Sequence, residues 1–271
     1  MPFVAGESVG AVELYYEDSG EGAPVVLVGG LTSTVEIWVH QVPALAARHR
    51  VVCPDNRGSG RTRVRDDDGV RTLEGWAADL ELLLDGLGLE RVHLVGASMG
   101  GMIVQEFALT RPARLRSLVV MCTTPGGDYG VPVPPETLRA LVAGQAPGAT
   151  PEEQDASLRT IAAPRSFERC PERLERYQAD KDAWAHSPAE LAQRQQGMAG
   201  WQSFDRLPEL RVPTLVMTGD ADVLVPPGNS ELLADRIPGA ELHTVRDTGH
   251  LFMIESPDEV NAALLEFFAK H

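Results

Sequence analysis

The stretch Gly96-Ala97-Ser98-Met99-Gly100-Gly101 places a serine between two glycines in the pattern Gly-x-Ser-x-Gly. It follows the apolar run Val92-His93-Leu94-Val95 and leads into an apolar stretch, Met99 to Leu109, with Pro112 just beyond. A strand, a sharp turn and a helix are the setting in which this pattern carries chemistry. The turn strains the serine backbone and stands its side chain at the top of a sheet. The helix N-terminus beneath it carries unpaired backbone N–H groups. A serine hydroxyl is a weak nucleophile at neutral pH, so acyl transfer at Ser98 requires a base within hydrogen-bond reach.

Of seven histidines, only His250 sits in a glycine-preceded turn after a late strand, in Arg246-Asp247-Thr248-Gly249-His250. His93 and His243 fall inside strand-like runs and read as structural; His40, His49, His186 and His271 read as surface residues. Two acids follow the run Thr214 to Met217, in Thr218-Gly219-Asp220-Ala221-Asp222, and either could orient the histidine. The histidine and the acids thus fall past the C-terminal ends of strands, the edge where open α/β sheets carry their sites.

These groups need a sheet to hold them. Val25-Val26-Leu27-Val28, Arg50-Val51-Val52-Cys53 and Val92 to Val95 are short apolar runs, each closed by a glycine-containing turn. Such runs suit strands buried on both faces of a parallel sheet. Between them, Leu73, Trp76, Ala77, Leu80, Leu83, Leu84 and Leu87 repeat with helical period and end at Gly86 and Gly88. The alternation predicts an α/β fold. Val12 to Glu17 alternates apolar and polar residues and predicts an antiparallel strand at the front edge. After Leu118 to Cys122 the alternation stops, and residues 125–208 are rich in proline, alanine and charge with no strand pattern. Alternation resumes at Val212 to Met217 and Glu241 to Val245, and Pro257 to Lys270 predicts a closing amphipathic helix. The expected organisation is a core domain from 1–124 and 209–271, with 125–208 inserted as a helical cap.

Lys plus Arg is 24 against 39 for Asp plus Glu, a formal charge of -15. That balance disfavours nucleic acid or an anionic membrane as partner, since both need a basic footprint. Three widely spaced cysteines, Cys53, Cys122 and Cys170, give neither a disulfide framework nor metal-ligand spacing. No signal sequence or membrane-length apolar stretch is legible, so a cytoplasmic protein is expected.

Taken in order, these motifs resemble the α/β-hydrolase superfamily, specifically its small cap-bearing esterases, enol-lactonases and cofactor-free haloperoxidases. The resemblance implies a mostly parallel eight-stranded sheet flanked by helices, with a helical cap. It implies a triad of Ser98, Asp222 and His250, with Asp220 as the alternative acid, and neither cofactor nor metal. The oxyanion hole would use the backbone N–H groups of Leu31 and Met99. Relatives carry His-Gly before that loop residue, whereas this chain has Gly29-Gly30, which removes a side chain that braces the loop. Asp55-Asn56-Arg57-Gly58-Ser59-Gly60-Arg61-Thr62 resembles a family segment read here as structural, with Arg57 tying loops to the sheet. Trp38, Met102, Leu224, Leu251, Trp184 and Trp201 are the expected substrate-binding residues. The expected reaction is hydrolysis of a neutral, apolar carboxylic ester or lactone through an acyl-enzyme, by a monomer or homodimer. A carbon–carbon bond hydrolase or perhydrolase would use the same triad. A non-catalytic ligand-binding member and a non-hydrolytic biosynthetic enzyme are readings of other classes.

Overall fold

The glycine-bounded apolar runs pair as strands in one sheet. In the computed structural model, which describes residues 2–7, 11–64, 71–145, 148–184 and 187–271, nine strands are present among the described residues. They are β1 (Phe3–Glu7), β2 (Ala11–Ser19), β3 (Ala23–Val28), β4 (His49–Pro54), β5 (Arg63–Val64), β6 (Val92–Ala97), β7 (Leu115–Met121), β8 (Thr214–Gly219) and β9 (Glu241–Val245). Eight of them lie on one path, β1-β2-β4-β3-β6-β7-β8-β9, and the two-residue β5 pairs with β2 beside it. Pairing is parallel from β4 through β9 and antiparallel around β2. The strand expected over Val12 to Glu17 lies within β2, one position in from the edge. Its outer neighbour is β1, with Phe3 opposite Tyr15. Five residues with a glycine inside are too short a pattern to stand out in sequence; Val4 nonetheless enters the core.

Buried strands explain the continuous apolar runs: all six residues of β6 and all six of β8 are buried. Helices cover both faces. On one face α2 (Leu73–Gly86) and α3 (Met99–Thr110) pack with α9 (Gly228–Arg236) through Leu83, Phe107 and Leu233. On the other, α1 (Gln41–Ala46), α10 (Phe252–Glu255) and α11 (Pro257–Lys270) contribute Leu45, Phe252 and Phe267.

Between β7 and β8 run five helices: α4 (Pro135–Gln145), α5 (Pro151–Leu158), α6 (Ser166–Arg169), α7 (Pro171–Ala183) and α8 (Pro188–Met198). Prolines open four of them. Proline fits the first helical turn, where its missing N–H is no loss. Thr150 with Glu153, and Ser187 with Glu190, close reciprocal caps at α5 and α8. No helix among the described residues is long and apolar enough to cross a membrane.

Candidate active site

Ser98 follows β6 and starts α3 with φ 55° and ψ -119°. A positive φ is strained for any side-chain-bearing residue and costs about 1–3 kcal/mol, so the surroundings must enforce it. They do so with backbone hydrogen bonds. The Ser98 N–H donates to the Met121 carbonyl at 2.9 Å, and the Ser98 carbonyl accepts from the Thr123 hydroxyl at 2.7 Å. Gly100 allows the turn to sit tight: a Cβ there would lie 2.3 Å from the Val28 carbonyl oxygen.

The acid and the histidine arrive from the other side of the sheet. His250 follows β9, and its Nδ1 lies 2.8 Å from Asp222 Oδ2 after β8. Asp222 Oδ1 accepts two backbone N–H groups, from Leu224 at 2.9 Å and Val225 at 2.8 Å. Asp222 is buried, whereas Asp220 is exposed, so the geometry pairs His250 with Asp222. Burial opposes a charge on the His250 ring, yet Cys122 and the Asp222 carboxylate lift its pKa well above the ordinary imidazole value.

A carboxylate absent from the sequence expectations holds the histidine turn. Glu255 Oε1 accepts the Gly249 N–H at 2.9 Å, and its Oε2 accepts the Ala163 N–H at 2.9 Å together with the Ser166 hydroxyl. Burial pushes its carboxyl pKa up, against the pull of those donors. Every donor here points at an acceptor-only group, and an amide cannot replace it. Glu255→Gln is expected to lower stability by roughly 1–3 kcal/mol and to reduce turnover through a misplaced His250. Urea unfolding beside steady-state kinetics checks this, and unchanged values in both would remove Glu255 from the account.

The loop after β3 lacks the histidine that the family resemblance implied before Gly30, and it is braced by other groups. Asn56 Nδ2 donates to the Gly29 carbonyl at 2.9 Å, and Arg194 Nη1 of α8 donates to the Leu31 carbonyl at 2.5 Å. A Cβ on Gly29 would come within 2.9 Å of Ser33 Cβ, so Ser33 fills part of the space a larger residue needs. Arg194 is fully buried; burial, with Arg71 nearby, pushes its pKa down to about 10. Asp55 receives the N–H groups of Val35 and Arg61, and burial raises its carboxyl pKa to about 6. Arg57 makes a two-pronged ion pair with Asp79, at 2.8 Å on each prong. It therefore ties its loop to α2.

Ser98, His250, Leu31 and Met99 line one cavity of 280 Å³, with Asp222 behind the histidine. That volume is close to the lower end of the roughly 300–1,000 Å³ of small-molecule sites. Of the expected substrate-binding residues, Met102, Leu224 and Leu251 line it. Trp38, Trp184 and Trp201 are not among its lining residues. Trp38 is buried in the cluster that holds Leu45 and Phe252, and Trp184 lies against the Arg61 guanidinium at 4.2 Å. Trp201 donates its indole N–H to Glu106 on α3 at 2.9 Å, fastening the stretch after α8 to α3.

Leu138, Leu141, Ile161 and Met198 supply apolar wall from the insertion, and Tyr177 and Gln195 supply polar groups. Burial pushes the Tyr177 phenol up to about 12. Among the other histidines, His93 Nδ1 meets Ser117 at 2.8 Å inside the sheet. His49 is no free surface residue, since its ring packs edge-on against His93 and Phe268. His186 lies outside the described residues. Among the described residues no three His, Cys, Asp or Glu side chains converge as a metal site.

Comparison with known proteins agrees with this architecture. The sequence model of the alpha/beta hydrolase fold matches residues 23–257. The chain is 33% identical over 267 residues to a protein of Azorhizobium caulinodans named "Putative carbamate hydrolase RutD", covering 98% of each. It is 30% identical to the 2-hydroxy-6-oxo-6-phenylhexa-2,4-dienoate hydrolase of Comamonas testosteroni, over 94% of this chain and 90% of that one. Among solved structures, Est816, described as an N-acyl homoserine lactone degrading enzyme, superposes with a TM-score of 0.82 at 30% identity. The coverage there is 98% of this chain and 100% of that one. With its sheet order, its strained serine turn and a family match over most of its length, this chain belongs to the alpha/beta hydrolase family.

Proposed function

We propose that the protein hydrolyses a carboxylic ester or lactone through an acyl-enzyme formed on Ser98. The observation that carries this reading is the Asp222–His250 pair, fixed by the Leu224 and Val225 N–H groups and facing the same cavity as the strained Ser98. In this mechanism His250 accepts the Ser98 proton as Oγ attacks the carbonyl carbon. Asp222 holds the proton on Nδ1, leaving Nε2 to do the transfer. The Leu31 and Met99 N–H groups receive the developing oxyanion, each contributing about 3 kcal/mol. His250 then returns the proton to the leaving oxygen, and water repeats the cycle to free the acid. We assign 125–208 as a cap that walls the cavity, on the strength of the lining residues from α4, α7 and α8.

The relative from Comamonas testosteroni, by its printed name, acts on a dienoate, and favours carbon–carbon hydrolysis as the second reading. The test is acid-quenched mass spectrometry of the protein during turnover of p-nitrophenyl butyrate and of a γ-lactone. The expected result is one added acyl mass on the peptide holding Ser98. Substrate turnover with no such adduct, together with turnover of a vinylogous 1,5-diketone, would replace the ester reading with the carbon–carbon one.

A further inference from the structure

Of the 24 Lys and Arg side chains only two are lysines, Lys181 and Lys270. Lys270 reaches Glu266 at 3.1 Å and Glu241 at 3.7 Å. Lys181 stands in the last turn of α7 and is half-buried. Its ammonium makes neither an ion pair nor a hydrogen bond among the described residues. Burial pushes its pKa down, with Asp182 pulling the other way. A charge drawn out of water with no partner is costly, and a counterion removes that cost.

Lys181 lines a cavity of 20 Å³ between α7 and the segment from Thr32 to His40. The other charged or titratable groups there are Glu36, His40, Arg173, Arg176 and Asp180, with Tyr177. Both carboxylates are already taken. Glu36 is held by Arg61 and the Thr34 hydroxyl, and Asp180 by Arg176 at 2.8 Å. Arg173 donates to the Glu255 carbonyl and has no carboxylate partner among the described residues. Lys181 and Arg173 are therefore left uncompensated, in a protein of formal charge -15. His40 registers the excess. Burial first, then Arg173 and Arg176, push its pKa down, against the pull of Asp258. Thr32, Ser33 and Thr34 add hydroxyl groups to the lining, and Ile37, Val39 and Ile254 its apolar part.

We infer that this cavity is a binding site for one small free oxyanion, of carboxylate or phosphate type, held by Lys181, Arg173 and the hydroxyls of residues 32–34. The volume suits a single small group and no extended ligand. Charge-assisted hydrogen bonds supply the attraction. None of the charged groups here lines the catalytic cavity, so the site stands independently of the ester reading. A bound anion ties α7 to the loop that follows Leu31, by a contact the chain alone does not supply.

The scarcity of lysine makes the test direct. Formate and inorganic phosphate are the probes, against chloride at equal ionic strength. Amines are acetylated with N-hydroxysuccinimidyl acetate, and the two lysine peptides are compared by mass spectrometry. Either anion, at about ten times its Kd, should slow modification of Lys181 about tenfold and leave Lys270 unchanged. The same condition should raise the wild-type Tm by about 3 °C. Lys181→Met should melt no lower than wild type in chloride, since it removes an unpaired charge and keeps the stem, and should show no rise with either anion. Lys181→Arg should keep the rise. Three results each overturn the site: no selective protection of Lys181, an equal Tm rise in wild type and Lys181→Met, or a Lys181→Met that melts well below wild type in chloride. The last would mean that the ammonium already has its partner within the protein.

Discussion

Ser98→Ala is expected to lower ester turnover by about six orders of magnitude in kcat, with the fold intact. The hydroxyl caps nothing in α3, so its removal takes the nucleophile and little else. The backbone strain is unchanged by alanine, which tolerates φ 55° no better than serine. Glycine does tolerate it. Ser98→Gly should abolish turnover equally and raise stability by roughly 1 kcal/mol, a direct reading of strain kept for function. The checks are p-nitrophenyl butyrate hydrolysis and urea unfolding on the same preparations. Near wild-type turnover in either variant would move the nucleophile elsewhere.

Asp222→Asn should cost roughly 10⁴-fold in kcat, by a route its hydrogen bonds spell out. Oδ1 takes two backbone N–H groups, so the asparagine oxygen must stay there. Its NH₂ then faces His250 Nδ1, which must become an acceptor. The ring proton moves to Nε2, the nitrogen needed to receive the serine proton. A pH effect should accompany the loss. The Asp222 carboxylate raises the His250 pKa, so wild-type kcat/KM should fall on the acid side from a pH above the ordinary imidazole value. In the variant that acid limb should move to lower pH. Asp220→Asn, at an exposed position, should leave both rate and profile near wild type. If Asp220→Asn is the more damaging change, the acid is Asp220.

What the sequence revealed of this architecture follows from the range of the interactions involved. The turn at Ser98 is local: strand, glycines and helix lie within a dozen residues, so both its type and its place were legible. Asp222 and His250 were legible because each follows a strand end by a few residues, and their family order is fixed. Residues 125–208 read as helical for want of a strand pattern, but their helix starts were not placed, although prolines mark those of α4, α5, α7 and α8. The braces of the site were not legible at all. Arg194 reaches Leu31 across 163 positions and Glu255 reaches Ala163 across 92. Neither residue carries a local pattern that separates it from any charged residue on a helix. The surroundings of the tryptophans were equally out of reach. Trp38 stands near a motif in sequence and Trp201 in the 125–208 segment, and neither position announces the core packing of the one or the carboxylate partner of the other.

The contact from Arg194 to the Leu31 carbonyl makes the proposed cap, α4 to α8, more than an exchangeable lid. A chimera that swaps α4 to α8 for those of a relative would also withdraw the donor that steadies the loop beneath them. Such grafts are made to alter which substrates are accepted. With Leu31 as the proposed oxyanion donor, the same graft is expected to alter how fast any substrate reacts unless residue 194 is carried over with the core. The Leu31 loop is steadied by a guanidinium carried on α8, and an engineered version of this protein inherits that link.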